Sequence, residues 1–319
     1  MTYISGGLIQ ATDYNGFVND TAGANVNITW STGTTDSGYG QSALATVSAA
    51  GTVTATQWAS LVNTIASMAN HQGTTITSRT APVAGNLIQV FAAVNTDITN
   101  CRTNRGNATS TGAQFTGWPG TNSKTGTTTG ATWTITFTNT ITFASADAAR
   151  YFWNAGGLVK IDVSKSSTGN TGDPEWNDLA TTLCGDIWIS GRVAGGSQTI
   201  GGTVYTGTTK IGGTGTPNTL ATTTGWYQLT GTPVVIYKQF ADTAPYTSNF
   251  IQHSASATAT TLTITTLWSA SDGDPISGGT AASGATPGTA PCTIVTYYPP
   301  STTYLTQTWG TPSVAATTV

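Results

Sequence analysis

The sequence predicts a mainly β fold with a small N-terminal helical part. We expect a β-sandwich-like C-terminal domain that follows a helical hairpin near residues 55–103. Two observations support this prediction. After residue 130, short segments alternate large apolar residues with threonine and are separated by Gly-rich turns, which is typical of sandwiches and barrels. Between residues 55 and 103, apolar residues instead recur at helical spacing.

The first 50 residues are mostly irregular in composition. A short helix is predicted over residues 14–19, where Thr12 and Asp13 are both competent N-cap residues. Residues 31–40 have the composition of a loop.

A clear helical pattern begins at residue 55 and predicts a helix over residues 55–71. Thr54 and Gln57 fit a capping box, and Gly73 fits a left-handed stop. The apolar positions form one stripe of an amphipathic helix. The stripe consists of Trp58, Leu61, Val62, Ile65 and Met68.

A second helix is predicted over residues 83–103, between Pro82 and Gly106. Arg102 and Arg105 suit its C-terminal end, where cations complement the helix dipole. We expect the two helices to pack as an antiparallel hairpin or against neighbouring subunits. The residues expected at a contact with other copies or with a larger assembly are Trp58, Leu61, Ile65, Leu87, Val94 and Ile98.

A loop-rich connection is predicted from about 107 to 130, followed by a series of strands. We therefore predict two domains. Residues 1–106 would form a partly helical attachment and oligomerisation module, and residues 107–319 an outer β-sandwich-like domain. The predicted strands lie within residues 133–143, 158–163, 187–189, 203–205, 226–229, 234–240, 261–267 and 293–298.

The composition excludes several classes of protein. Charged residues are only 7% of the chain, and 10 Lys+Arg against 13 Asp+Glu give no basic footprint for nucleic acid. Aromatic residues reach 9%, which argues against disorder. We find no apolar run long enough for membrane insertion and no signal-peptide pattern at the N-terminus. We therefore expect no nucleic-acid partner and no membrane insertion.

Catalytic signatures are weak throughout the chain. Asp173, Glu175 and Asp178 form an acidic cluster that a depolymerase could use, but we favour a solvated loop. Asp272 and Asp274 form too short a fragment for a calcium loop. We therefore expect no enzyme activity, no metal and no cofactor.

The histidines and cysteines give little evidence for a catalytic site or for disulfide bonds. His71 and His253 belong to no metalloprotease or serine-hydrolase motif. The three cysteines are too few for a disulfide framework, and a pairing of Cys184 with Cys292 stays open.

Two tryptophans next to turns could contact a ligand. Trp118 lies in Gly-Trp-Pro-Gly, and Trp226 lies in Gly-Trp-Tyr. Aromatic faces in such places can stack on sugars, although core packing is the commoner use of tryptophan.

Several segments together resemble a known group of proteins. Residues 149–161 (ARYFWNAGGLVKI) resemble the "RYFFNAGGxIRI" segment of virion structural proteins of tailed bacteriophages, with Trp153 in place of the second Phe. Residues 225–229, 246–252 and 262–275 fit the same pattern. Residues 6–15, 38–41 and 54–73 in the N-terminal part of the chain also resemble segments of these proteins.

The resemblance implies a virion component and supplies no active-site residues. We expect a tail, neck or baseplate appendage, fibre- or spike-like, which docks through its N-terminal part. Its partners would be copies of itself, most simply in a homotrimer, and other virion proteins. It would be assembled in the host cytoplasm and localised in the virion. The alternatives are a capsid decoration protein, a module that recognises host surface glycan, and a polysaccharide depolymerase.

Overall fold

The computed structural model describes residues 10–19, 25–31, 33, 35–85, 91–109, 118–124, 132–166, 173–192, 196–271, 276–277, 280–281 and 291–319. Across these residues the fold is mainly β, which confirms the prediction at this level. All pairings between the named strands are antiparallel.

Helices lie mainly in the N-terminal third of the described chain. A π-helical turn, Asp178–Leu183, continues the last α-helix, and Trp226–Gln228 form a 3-10 turn. The α-helices are α1 (Ala11–Asn19), α2 (Val26–Trp30), α3 (Ala55–Gln72), α4 (Phe91–Thr103), α5 (Ala146–Asn154) and α6 (Asp173–Asn177).

The strands begin after α4. They are β1 (Trp118–Ser123), β2 (Trp133–Thr142), β3 (Leu158–Lys165), β4 (Asp186–Ser190), β5 (Gln198–Ile200), β6 (Thr203–Tyr205), β7 (Thr208–Ile211), β8 (Thr219–Leu220), β9 (Val234–Phe240), β10 (Phe250–Ala257), β11 (Thr261–Ala270), β12 (Ile276–Ser277), β13 (Thr280–Ala281), β14 (Pro291–Tyr298) and β15 (Ser313–Thr318).

Two larger sheets contain most of these strands. One has the order β1-β14-β3-β4-β7 and the other β15-β2-β11-β10-β9-β8, while β5-β6 and β12-β13 are small ribbons. Burial alternates along β2 and β11, so most apolar residues face inward and most threonines face outward, while Asn139 and Thr266 are buried polar residues on the inward face. The inward faces of both larger sheets belong to one hydrophobic cluster, to which the N-terminal helices also contribute.

Aromatic side chains fill much of this core. Trp133 and Trp268 both pack against Trp176, with ring centroids 4.8 and 5.6 Å away. Phe152 packs against Phe143 at 5.2 Å and against Tyr297 at 6.4 Å. Full burial of a side chain the size of Phe is worth about 1.5–3 kcal/mol, so these rings contribute much of the stability.

The helix at residues 55–72 confirms its prediction closely. Thr54 accepts a hydrogen bond from Gln57 N, the Gln57 side chain accepts one from Thr54 N, and the helix ends at Gly73 with φ 67°. A left-handed residue without a Cβ ends a helix at little cost.

The second predicted helix is shorter than expected at its start. Residues 83–85 are non-helical, residues 86–90 lie outside the described part, and α4 begins at Phe91. The helices α3 and α4 contact each other, and the Cys101 thiol lies 3.9 Å from Ile65 O.

Two local predictions were wrong, and one helix was not predicted. Residues 146–154 form that helix, which starts where Ser145 accepts from Ala148 N. A strand was predicted over residues 226–229, but Trp226–Gln228 form a 3-10 turn. The acidic segment at 173–178 is helical, and Trp176 anchors it in the core.

Strand β1 lies in the segment expected to be a loop, and contacts cross the boundary predicted at 106/107. Ala108 N donates to Thr199 O, and Thr109 N donates to His71 O. The division into two domains stays a prediction.

Candidate functional site

Segments that carry the sequence resemblance meet in one hydrogen-bonded network. Gln72 Nε2 donates to Tyr39 Oη at 2.7 Å, and the Tyr39 and His71 rings pack edge-on at 5.3 Å. His71 Nε2 lies 2.9 Å from Ala155 O. Since a carbonyl oxygen only accepts, Nε2 carries the proton of this neutral imidazole. Residues 38–41, 54–73 and 149–161 are thereby joined.

Asn154, at the end of α5, extends this network to the loop at residues 35–38. Its Nδ2 donates to Ser37 O at 2.8 Å, Gly38 O at 3.0 Å and Thr35 O at 3.2 Å. The Tyr227 hydroxyl contacts Asn154 Oδ1 and lies 2.6 Å from Thr35 O. One buried amide therefore holds the loop and the 225–229 segment together.

Arginines surround the same loop. Arg105 Nη2 donates to Asp36 Oδ2, and Arg192 Nη1 lies 3.8 Å from the same oxygen. Arg150 Nη1 donates to Gly33 O, and Arg150 Nη2 donates to Asp147 Oδ1 at 3.1 Å. Burial, and then the neighbouring Arg105, lower the pKa of Arg192. These arginines bond backbone carbonyls and carboxylates, so they stabilise the loop.

Trp226 lies beside this network and is half-buried. Its ring stacks on the buried Trp153, with centroids 5.9 Å apart and an interplanar angle of 20°. Tyr227 packs edge-on against it at 4.9 Å. Trp226 Nε1 is buried without a hydrogen-bond partner. The two ring contacts fix the orientation of the indole.

A glycine permits this arrangement. A Cβ on Gly225 would lie 2.5 Å from Ser190 O, closer than real Cβ atoms come to a backbone oxygen. Glycine therefore lets the 225–229 segment approach the end of β4.

An open cleft of about 430 Å³ lies next to Trp226. Helix α5 forms one wall, the 226–229 segment the second, and the turn between β10 and β11 the third. Asp147 and Arg150 are the charged residues in the lining. The lining residues are Ala146, Asp147, Arg150, Trp226, Tyr227, Leu229, Ala257, Thr258 and Ala259.

Of the two tryptophans singled out in the sequence, Trp226 lies in the cleft. Trp118 belongs to β1, but its side chain lies outside the described residues. No sequence pattern indicated Asp147 as a site residue, or the contribution of residues 257–259 to the cleft. Arg150 belongs to the segment that carries the resemblance.

The residues expected at an oligomer contact lie inside the chain. Each described one is at most 2% exposed, so its apolar face is covered by the chain's own core. This placement argues against the intersubunit role expected for them. The buried residues are Trp58, Leu61 and Ile65 of α3 and Val94 and Ile98 of α4, while Leu87 lies outside the described part.

The acidic segment is not the solvated loop that we expected. Glu175 is 8% exposed and its Oε1 has no hydrogen-bond partner. Burial, and then Asp178 and Asp242, raise the pKa of this carboxyl. The side chain of Asp173 lies outside the described residues, as do Asp272 and Asp274.

Both histidines are buried. His253 Nδ1 lies 2.9 Å from Thr266 Oγ1, and its ring stacks on Tyr237 at 5.3 Å. Burial lowers the pKa of His71 to about 4 and that of His253 to about 3. Both imidazoles are therefore neutral at pH 7.

The three cysteines are free thiols, so Cys184 and Cys292 are not paired in this structure. Within the described ranges, no three His, Cys, Asp or Glu side chains form a group that could hold a metal. No helix in the described part of the chain is both long enough and apolar enough to cross a bilayer.

Comparisons with protein-family models, with curated proteins and with solved structures each gave no match to this chain.

Proposed function

We propose that the chain is a structural component of a tailed bacteriophage particle, a fibre- or spike-like appendage of the tail, neck or baseplate. The observation that carries the proposal is the network around Tyr39, His71, Asn154 and Tyr227. Segments that resemble phage virion proteins are far apart in sequence, yet they contact one another in the fold. Four of the segments that carry the resemblance, residues 38–41, 54–73, 149–161 and 225–229, meet at one junction of the fold, which supports a shared architecture.

The roles of the shared residues also support a structural function. Asn154 and Arg150 bond backbone carbonyls, and His71 bonds Ala155 O. Residues used in this way stabilise a fold. We propose no catalytic activity for the chain.

We further propose that the two larger sheets form a β-sandwich-like body and that α3 and α4 form a hairpin beside it. Joint burial of both sheets' inward faces in one cluster and the contact between Cys101 and Ile65 support this arrangement. A homotrimer remains our proposed assembly. Since the apolar stripes of α3 and α4 are internal, its contacts would use other surfaces.

Particle composition tests the proposed function. Antibodies raised against the purified chain should label the tail, neck or baseplate in electron micrographs of phage particles from the same source. Labelling across the head lattice would favour the alternative of a decoration protein. Particles free of the chain would overturn the proposal.

Light scattering after size exclusion tests the assembly separately. The expected mass is three copies of the 32.6-kDa chain. An SDS-resistant trimer before heating would support a fibre or spike. A chain that stays monomeric at micromolar concentration would contradict the trimer.

A further inference from the structure

We propose that the cleft beside Trp226 is a binding site for an uncharged saccharide. The inference goes beyond the structural role proposed above and does not depend on it. Three properties of the described residues carry it: a fixed aromatic wall, a rim whose charges cancel, and a volume suited to a small ligand.

The aromatic wall is preorganised. Trp153 stacks on Trp226 at 5.9 Å, and the Tyr227 ring lies 4.9 Å from it in a T-shaped arrangement. The Tyr227 hydroxyl is itself held by Thr35 O. An indole fixed in this way loses little side-chain entropy when a ligand packs on it. The axial C–H groups of a pyranose ring complement the negative face of such a π-system.

The rim supplies a hydrogen-bonding group for hydroxyls. The Asp147 side chain is 69% exposed, and its carboxylate can accept from ligand hydroxyls while it stays bonded to Arg150 Nη2. Thr258 lies on the opposite wall, but its hydroxyl is held within its own turn by Thr260 N and Thr261, so the rim group assigned to ligand hydroxyls is the Asp147 carboxylate. Few polar groups on a mainly apolar lining are typical of small-ligand sites.

The charges of the lining select against an ionic ligand. Asp147 and Arg150 are its charged residues, and they pair with each other at 3.1 Å. A sulfated, phosphorylated or sialylated sugar would have to compete with Asp147 for the guanidinium and would meet the carboxylate. A neutral sugar can bind without breaking the pair, which is the basis for the predicted selectivity.

The volume agrees with this ligand class. The cleft measures about 430 Å³, within the range of about 300–1,000 Å³ found for small-molecule sites. Its open shape would leave part of an oligosaccharide in solvent, so we expect millimolar dissociation constants.

Saturation-transfer NMR on the full chain tests the proposal, with maltotriose, cellotriose and N,N′,N″-triacetylchitotriose as neutral probes. Sialyllactose and glucose 6-phosphate are the charged probes. We expect at least one neutral probe to bind and to perturb tryptophan fluorescence. Binding by none of them, or tighter binding of a charged probe, would overturn the proposal.

Variants locate the site. Trp226→Ala should weaken binding at least about tenfold through loss of the stacking surface. Asp147→Asn should weaken it about three- to tenfold, as loss of one charged hydrogen-bond acceptor does. Ala259→Trp, at an exposed lining position, should block the cleft and leave the Trp153–Trp226 stack in place.

The matched control is Asp162→Asn. Asp162 is also a partly exposed carboxylate in an ion pair, with Lys160, but it lies on β3 away from the cleft. It should bind the probe like the original chain. If Trp226→Ala does not fold, Ala259→Trp and Asp147→Asn still decide the question. Unchanged binding in both of these would show that the site lies elsewhere.

Discussion

The side-chain amide of Asn154 donates to three backbone carbonyls, and two of them belong to the buried residues Ser37 and Gly38. The loop at residues 35–38 has no regular secondary structure to pair Ser37 O and Gly38 O, and Asn154 Nδ2 supplies the donor. A buried carbonyl without a donor is unfavourable by about 1–3 kcal/mol. Asn154 therefore holds this loop together with Arg150, which also donates to Ser37 O.

We predict that Asn154→Ala lowers the free energy of unfolding by about 1–3 kcal/mol, because it leaves the buried Gly38 O without this donor and removes one of two donors to Ser37 O. Urea unfolding followed by far-UV circular dichroism measures the change. Asn63→Ala is the matched control, because Asn63 is exposed on α3 and should change stability by less than about 0.5 kcal/mol. Equal effects of the two variants would contradict the role of Asn154.

The buried histidines make stability depend on pH. Their pKa values, about 4 for His71 and about 3 for His253, lie below the unfolded value of about 6.5. Below pH 6.5 the unfolded chain binds protons that the folded chain does not, so stability falls as the pH falls.

We predict that each histidine removes about 2.5 kcal/mol of stability between pH 7.5 and pH 4.5. His253→Phe should unfold with a visibly smaller dependence on pH over this window. Urea midpoints at the two pH values measure it. An unchanged pH dependence in this variant would show that His253 is not neutral in the folded chain.

Among the elements, α3 owes its start to a reciprocal cap. Thr54→Ala removes the acceptor for Gln57 N and should lower the free energy of unfolding by about 1 kcal/mol. The control is Thr56→Ala, two residues further on. It replaces an exposed threonine in the first turn of the helix and should leave the stability unchanged or raise it slightly. Thermal melts measure the difference: Thr54→Ala should lower the melting temperature, and Thr56→Ala should leave it unchanged or raise it slightly.

The comparison of α3 with α5 shows what local sequence can predict. Helix α3 has an apolar stripe, a capping box and a glycine stop, and its bounds followed from them. Helix α5 contains Tyr151, Phe152 and Trp153 in a row, and all three are buried. Helix α5 is amphipathic, but its nine residues give few turns over which a period can be detected, and three consecutive aromatic residues also fit a strand. Ser145 and Asp147 were further signals of a helix start.

The cleft could be predicted only in part for a similar reason. Trp226 stood out because it follows a glycine, but its partners come from α5 and from the turn after β10. Such contacts depend on which elements lie side by side in space. Likewise, the stripes of α3 and α4 predicted buried faces correctly, but they could not show whether the chain itself or a second copy covers them.

At the scale of the whole molecule, the reactivity of the three thiols shows whether the core is intact. Burial raises the pKa of Cys101 and Cys184 to about 12, while Cys292 is partly exposed on β14. Because the thiolate is the reactive form, we predict that a disulfide-exchange reagent labels at most Cys292 rapidly in the native chain. All three thiols should react in guanidinium. A native chain without reactive thiols and only one in denaturant would indicate a Cys184–Cys292 bond.

The bonds between Gln41 and Thr306 have a consequence for synthesis on the ribosome. Gln41 Nε2 donates to Thr306 O at 2.8 Å, and Thr306 N donates to Gln41 Oε1 at 2.9 Å, across 265 residues. At about 5–20 residues per second, the partner of Gln41 emerges roughly 13–50 s after Gln41 itself. Throughout that interval the loop around Tyr39 lacks its final contacts. The nascent chain must therefore stay soluble until Thr306 has been synthesised and can bond to Gln41.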